Sequence, residues 1–399
     1  MRRNFGSMEW GSRCMESRAW SYACRIFSAG YSPQNTRRGS NSNRELLTSK
    51  NAIGRISASL SRISPQDNKA NTEETFLTKR ILRWLIAIAA PLAILASGTA
   101  AAGYPERPIR LIVTFVPGGG ADLLARYLAK ALSEDMGQPV IVENRPGAGG
   151  MIGVEAGRNT KPDGYTLTLI SSSYTVNPSL YRMTFDPVAD ITPIVQVSRG
   201  PLLVVANPAF PPNSLPELIA YAKAHPGAIN YASSGEGSVI HLATELFARQ
   251  AGIRMTHIPY KGGGNAQTDL MAGQVQLYFA ATASALPHVA AGKMKALAVT
   301  TANRIAALPE VPTIAESGLP GYDATLWYGL IGPKNLPVDI VEKINAAVNR
   351  ALVTPEAHAK LQADGAEPAG GSAAAFTTTI ATGITQWAGI VKDLGIKPE

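Results

Sequence analysis

The sequence predicts an α/β protein of two lobes, and three observations carry that expectation. A strand–helix–strand–helix–strand pattern with glycine-rich turns fills 109–170, the half-unit of a parallel, doubly wound sheet. The pattern restarts after residue 200, and beyond Pro333 the chain reads as mostly helical. At 399 residues the chain also exceeds one average domain.

The elements follow in order. Ile109 to Phe115 is a β-branched run that reads as a buried strand, and Pro117-Gly118-Gly119-Gly120 ends it. Leu123, Leu124, Tyr127, Leu128, Ala131 and Leu132 then recur at helical spacing, giving one apolar face. Gly137-Gln138-Pro139 stops that helix before the strand Val140-Ile141-Val142. The turn Pro146–Gly150 opens a short helix, and Pro162-Asp163-Gly164 precedes the strand Tyr165–Ile170. In the second set, strands are expected at Leu202–Ala206, Ile229–Ala232, Met255–Ile258, Val275–Ala280 and Ala296–Thr300. Helices are expected at Glu217–Lys223, from Val239 to Phe247 and through Leu270-Met271. Pro337 suits a helix start, with Val338, Val341, Ile344 and Val348 as its apolar stripe. The tail is expected to return to the first lobe, so that the lobes comprise 103–197, 198–323 and the return segment 324–399.

The net charge of +8 would raise nucleic acid or an anionic membrane as a partner. Residues 1–80 hold 14 Lys/Arg and 6 Asp/Glu, which accounts for the whole excess; the rest carries 23 of each sign. A nucleic-acid binder needs its basic footprint on the folded domain, so no nucleic acid is expected. Cys14 and Cys24 lie in the same segment, which excludes disulfides and thiolate chemistry from the remainder.

Residues 1–78 are rich in Ser, Asn and Arg and read as a disordered leader. Residues 79–102 have the order of a signal peptide: Lys79, Arg80 and Arg83, an apolar core from Trp84 to Ala96, then Ala100-x-Ala102. The core is shorter than the roughly 18 apolar residues of a membrane span. A signal so deep in the chain points to translation starting near Leu77, an expectation that peptides recovered from residues 1–70 would overturn.

Three glycine-bearing turns each follow a strand and open a helix: Pro117–Asp122, Ser233–Ser238 and Tyr260–Asn265. Glycine admits close approach of the backbone, and the first helical N–H groups point outward unsatisfied beside the positive end of the dipole. In α/β sheets such loops lie at the carboxyl ends of strands, where ligands bind. The surrounding polar residues, among them Ser171, Ser172, Ser173, Thr175, Asn177, Ser233, Ser234 and Thr282, can hydrogen-bond a carboxylate or simply cap their own turns. Asp122 either complements its own helix start or meets a ligand ammonium; Lys261 either pairs with a ligand or stays solvated.

Enzyme signatures are wanting. There is no phosphate loop of the G-x-x-x-x-G-K-[ST] type, no complete dinucleotide fingerprint, no G-x-S-x-G and no H-E-x-x-H. His225, His241, His257, His288 and His358 stand singly, without metal-ligand spacing. His241 could reach a cleft from its helix, although a structural role fits it better. No catalytic residue, metal or cofactor is expected.

Several segments occur together in order: Tyr104-Pro105-Glu106-Arg107-Pro108, Val116–Asp122, Val142–Gly150, Pro162–Leu167, Tyr260–Gly263, Leu308–Thr313 and Glu316-Ser317-Gly318. In this combination the chain resembles the Bug proteins, the substrate-binding subunits of tripartite tricarboxylate transporters, over essentially all of 104–399. The resemblance implies a two-lobed periplasmic-binding-protein fold, type II-like, with two inter-lobe crossovers. It implies a periplasmic, monomeric solute-binding protein that captures a small carboxylate: a dicarboxylate, an amino acid or an aromatic acid. Partners would be the membrane subunits of such a transporter, or a sensor. The ligand-binding residues carried over are Pro117, Gly118, Gly119, Gly120, Asp122, Ser171, Ser172, Asn177, Ser233, Ser234, Gly235, Tyr260, Lys261, Gly262 and Gly263. Ala121 stands where many members have a hydroxyl-bearing or proline residue, so specificity does not transfer. The competing readings are a secreted enzyme on a carboxylated substrate, using His241, Asp122 or Lys261, and a ligand-sensing adaptor for a sensor kinase.

Overall fold

The computed structural model describes residues 103–396; the expected leader and export signal lie outside them. Three parallel strands open the fold. Strand β1 (Ile109–Val113) lies between β2 (Val140–Asn144) and β3 (Thr166–Ser171), with β1 and β3 buried and β2 at the partly exposed edge. Ile109, Leu111, Ile112 and Val113 are all fully buried, as a parallel strand covered on both faces requires. Helix α1 (Gly120–Met136) connects β1 to β2 and ends on Gly137 in the left-handed conformation. A 3-10 turn, Ala148–Gly150, leads into α2 (Met151–Arg158), and β3 runs directly into α3 (Ser173–Leu180).

Strand β4 (Ile191–Ala206) belongs to both lobes. Its first part pairs antiparallel with β9 (Thr325–Pro333), and its last five residues pair with β7 (Leu277–Ala281) and β8 (Lys295–Val299). The second lobe continues through β7 to β5 (Asn230–Ser233) and β6 (Thr256–Pro259), giving the order β2-β1-β3-β9-β4-β7-β5-β6. Its helices are α4 (Leu215–Ala224), α5 (Val239–Ala251), α6 (Gly263–Met271) and α7 (Thr282–Ala290). Strand β9 then carries the chain back to the first lobe, pairing with β3 as well as β4. Helices α8 (Val338–Leu352), α9 (Pro355–Ala363) and α10 (Ala373–Leu394) follow, with β10 (Glu367–Gly370) added beside β4.

The structure corrects the sequence reading along β4. The sequence reading makes only Leu202–Ala206 a strand, whereas the strand starts at Ile191. It accommodates Pro193 at a register shift, Pro193/Val195, with a second at Gln196/Ser198, while Gly200 and Pro201 stay in regular register with β9. Strands β9 and β10 were not anticipated at all.

Each lobe has its own apolar centre. In the first, Leu128 and Leu132 of α1 and Ile344 and Val348 of α8 pack against Leu111, Leu167, Val195 and Leu330. In the second, Leu203, Val205, Tyr231, Leu242, Phe247 and Phe279 are completely buried. A third cluster, with Trp327 and Phe376 edge to face at 5.5 Å, fixes α10 over β9.

Candidate functional site

Five helices begin at one small cavity between the lobes. Gly119, Gly120 and Ala121 bring the start of α1, Ser171 and Ser173 that of α3, Val239 and Ile240 that of α5, Gly263 that of α6, and Ala281 the cap of α7. Phe115, Leu326, Ser234 and the tyrosines Tyr278 and Tyr328 complete the lining. Among the described residues that line it, none is Asp, Glu, Lys, Arg or His. The site is therefore electropositive through oriented peptide dipoles rather than through side-chain charge.

Close backbone approach explains the glycines. A Cβ on Gly120 would stand 2.7 Å from the Ala281 Cβ and 2.9 Å from the Tyr328 hydroxyl. A Cβ on Gly264 would stand 2.5 Å from the Pro117 carbonyl oxygen, so the β1–α1 and β6–α6 loops touch across the cleft. Two side-chain hydrogen bonds cross as well: the Val239 N–H donates to Ser173 Oγ at 3.0 Å, and the Tyr181 hydroxyl donates to the Glu236 carbonyl at 2.9 Å. With the loops in contact the enclosed space is about 30 Å³, room for about one water. A larger solute enters only when the lobes part.

Tyr278 is buried, and its hydroxyl has no hydrogen-bond partner. Burial raises its ionisation far above the ordinary phenol range, so it stays a neutral donor. Tyr328, also raised by burial, sits between Ser171 of β3 and Ser198 of β4 in the ladder.

Of the residues expected to bind, Gly119, Gly120, Ser171, Ser234 and Gly263 line the cavity, and Gly262 caps α6 beside it. Pro117 and Gly118 form the loop in front of α1. Asp122 turns inward on its own helix start, accepting from the Gly118 N–H at 3.1 Å, Arg126 Nε at 2.9 Å and Asn144 Nδ2 at 3.0 Å. Burial pushes its carboxyl up, but the hydrogen bonds from Arg126, Gly118 and Asn144 outweigh this and hold it below the usual range. Ser172 faces β9, where its Oγ accepts from the Trp327 N–H at 3.5 Å. Asn177 is fully buried with both amide atoms unpartnered, next to Gly149. Tyr260 donates to Asp269 Oδ2 at 2.8 Å, and burial pushes its phenol up to about 12. Lys261 is exposed and does not line the cavity.

The histidines correct the expectation that they stand apart. His241 and His257 stack at 4.0 Å, with planes 8° apart, beneath the β5–α5 loop. Ser233 Oγ shares a 2.6 Å hydrogen bond with His257 Nε2 and accepts from the Gly235 N–H at 3.1 Å. Burial drives His257 down to about 4; burial and the neighbouring His257 drive His241 down to about 3, so both are neutral at pH 7. Neither lines the cavity, and Ser233 is fully buried, so the pair braces the loop that carries Ser234 and Gly235. Among the described residues no group of three His, Cys, Asp or Glu could hold a metal ion.

The sequence pattern places this architecture in a family. The model of the tripartite tricarboxylate transporter family receptor matches residues 124–396. The chain belongs to this receptor family. Protein BugT of Bordetella pertussis is 39% identical over 78% of this chain and 97% of its own length. Among solved structures, R. palustris Rpa4515 with adipate superposes with a TM-score of 0.73 at 36% identity, covering 74% of this chain and 100% of that one. MatC from Rhodopseudomonas palustris with bound malate gives 0.68 at 31% identity, over 72% and 100%. The solved periplasmic binding protein BugD gives 0.72 at 34% identity, over 74% and 100%, and among the described residues no helix is long and apolar enough to cross a membrane.

Proposed function

We propose that this receptor-family protein is a periplasmic, non-enzymatic solute-binding protein that captures a small carboxylate between its lobes and delivers it to the membrane subunits of a tripartite tricarboxylate transporter. The observation that carries this reading is the convergence of five helix starts on one cavity whose lining holds no ionisable side chain except two neutral tyrosines. Oriented N–H groups suit a carboxylate, and a lining without a base to activate its serine hydroxyls leaves it chemically intact. Relatives solved with adipate and malate support the ligand class.

The lobes would comprise 103–197, 198–323 and the return from 324. The ligand contacts would be those carried over from the family, Pro117–Gly120, Ser171, Ser172, Asn177, Ser233–Gly235 and Tyr260–Gly263, with Asp122 shaping the first loop. Tyr278 and Tyr328 join them.

A helix start contributes roughly 0.3–1 kcal/mol toward an anion, up to ~2 when partly buried. A micromolar complex requires about 8 kcal/mol. Hydrogen bonds to the charged group, each about 1.5–3 kcal/mol, supply the rest once the lobes close. The ligand shifts the population toward the closed form because only that form offers contacts from both sides.

A thermal-shift screen against a carboxylate panel, with recovery of each hit, tests the reading. A raised melting temperature with the acid recovered unchanged is expected. Consumption of the acid would overturn the non-enzymatic assignment. A response to sulfonates or phosphonates alone would overturn the ligand class.

A further inference from the structure

The carboxylate cavity is the first of three spaces in a row. Gly120, Ala281, Leu326 and Tyr328 line both it and a second chamber of about 30 Å³ that lies over the middle of β4. Arg199, Gly200, Pro201, Gly365 and Ala366 line both that chamber and an open groove of about 820 Å³. The first lobe forms one wall of the groove through α9 and the start of β10, and the second lobe forms the other through 301–306. Between chamber and groove the lobes touch: a Cβ on Gly365 would stand 2.4 Å from Thr282 Cγ2 and 3.0 Å from Ile305 Cδ1. These partners sit on opposite lobes, so the passage widens as the lobes part, and a ligand with a tail in it holds the lobes less tightly closed than in this structure.

Both arginines of the groove already have a carboxylate partner. Arg199 pairs with Glu367 at 3.4 Å, and Arg304 pairs with Glu316 at 2.8 Å while also donating to the Pro309 carbonyl at 3.0 Å. Asp323 adds a further carboxyl and His358 the only other ionisable group of the lining. No arginine is left over for a second carboxylate, whereas Pro201, Ala302, Ile305, Ala306 and Ala366 offer apolar surface.

We propose that the groove is a tail subsite, and that the ligand is an elongated monocarboxylic acid with its head among the helix starts and its uncharged tail leading past Ala366 into the groove. This rests on the carboxylate reading of the cavity and adds the length and charge of the ligand. Each methylene moved from water to apolar surface strengthens binding, whereas a charged tip beside Glu367 and Asp323 weakens it.

Calorimetric titration of the full chain with propionate, octanoate and suberate separates the possibilities. Octanoate and suberate have equal chain length, and only suberate ends in a second carboxylate. Octanoate is expected to bind at least about tenfold more tightly than propionate, and more tightly than suberate. Ala366→Trp, which fills the passage, is expected to weaken octanoate about tenfold and leave propionate within about twofold. Ala302→Trp, on the exposed groove wall, should weaken octanoate in the same selective way without touching the packed interior. Octanoate no tighter than propionate, suberate tighter than octanoate, or variants without selectivity for the longer acid would each overturn the tail subsite. If propionate still binds, the carboxylate cavity stands without it. If none of the three acids binds, both fall.

Discussion

Tyr278 presents a buried hydroxyl with no partner in the folded protein. Leaving such a group unpaired costs about 1–3 kcal/mol. Tyr278→Phe should therefore hold or raise the melting temperature of the ligand-free protein while weakening carboxylate binding about tenfold. Calorimetry and thermal melting on one preparation check both halves, and a variant that binds unchanged would remove Tyr278 from the site. His257 makes a different prediction. Its folded pKa of about 4 lies below its ordinary 6.5, so the unfolded chain takes up the proton first. Its contribution to stability is full above pH 6.5 and is lost as pH falls through 6.5 toward 4. Gln places an amide where Nε2 lies and does not titrate. The melting temperature of His257→Gln should thus fall less over this range than that of the native protein, and equal slopes would rule out a neutral His257. The retained bond to Ser233 should keep carboxylate affinity close to native at pH 7, whereas His257→Leu, which cannot make it, should lower it.

At the scale of elements, the start of α1 makes the sharpest demand. Gly120 is helical, so Gly→Ala would ordinarily favour the helix by about 0.5–1 kcal/mol. Here the added methyl would press on Ala281 across the cleft and on the tip of the Tyr328 side chain within the first lobe. Gly120→Ala should keep its melting temperature without ligand and lose the shift that ligand produces, because the collision with Ala281 arises only on closure, whereas the Tyr328 hydroxyl lies at the end of a side chain that can shift. A drop in ligand-free stability above about 2 kcal/mol would instead place the collision within one lobe. The same elements mark where sequence patterns stop being readable. The buried strands β1 and β3 and the glycine turns opening α1, α5 and α6 declare themselves through β-branched runs and loop chemistry. Strand β9 does not: Thr325–Pro333 mixes Trp327 and Tyr328 with Gly329 and Gly332, and Gly329 is there because the Phe376 ring packs where a Cβ would be. Tyr328 was missed with it. Asn177 was named, but that its amide would be buried and unpartnered follows only from loops distant in sequence.

At the scale of the whole molecule, two strands, β4 and β9, join the lobes, and their contact seals the site. Binding therefore requires opening about those strands, followed by closure on the solute. Small-angle X-ray scattering should give a smaller radius of gyration with a saturating carboxylate than without, and equal radii would argue against lobe motion. Because the cavity lining carries no charged side chain, closed-state affinity should change little with salt compared with a site built on exposed ion pairs.

By itself the sequence determined what depends on neighbours along the chain: the alternation of strands and helices, the glycine turns, the excess positive charge confined to residues 1–80 and the family motifs. Only the tertiary structure decided which helix starts converge, that Asp122 is bound within its own turn, that His241 and His257 stack, and that Tyr278 and Tyr328 face the cavity. The physical reason is separation. Turn chemistry and periodicity act over a few residues, whereas each wall of the cavity comes from segments scattered between residues 115 and 328, brought together by the pairing of β4 with β9 and β7.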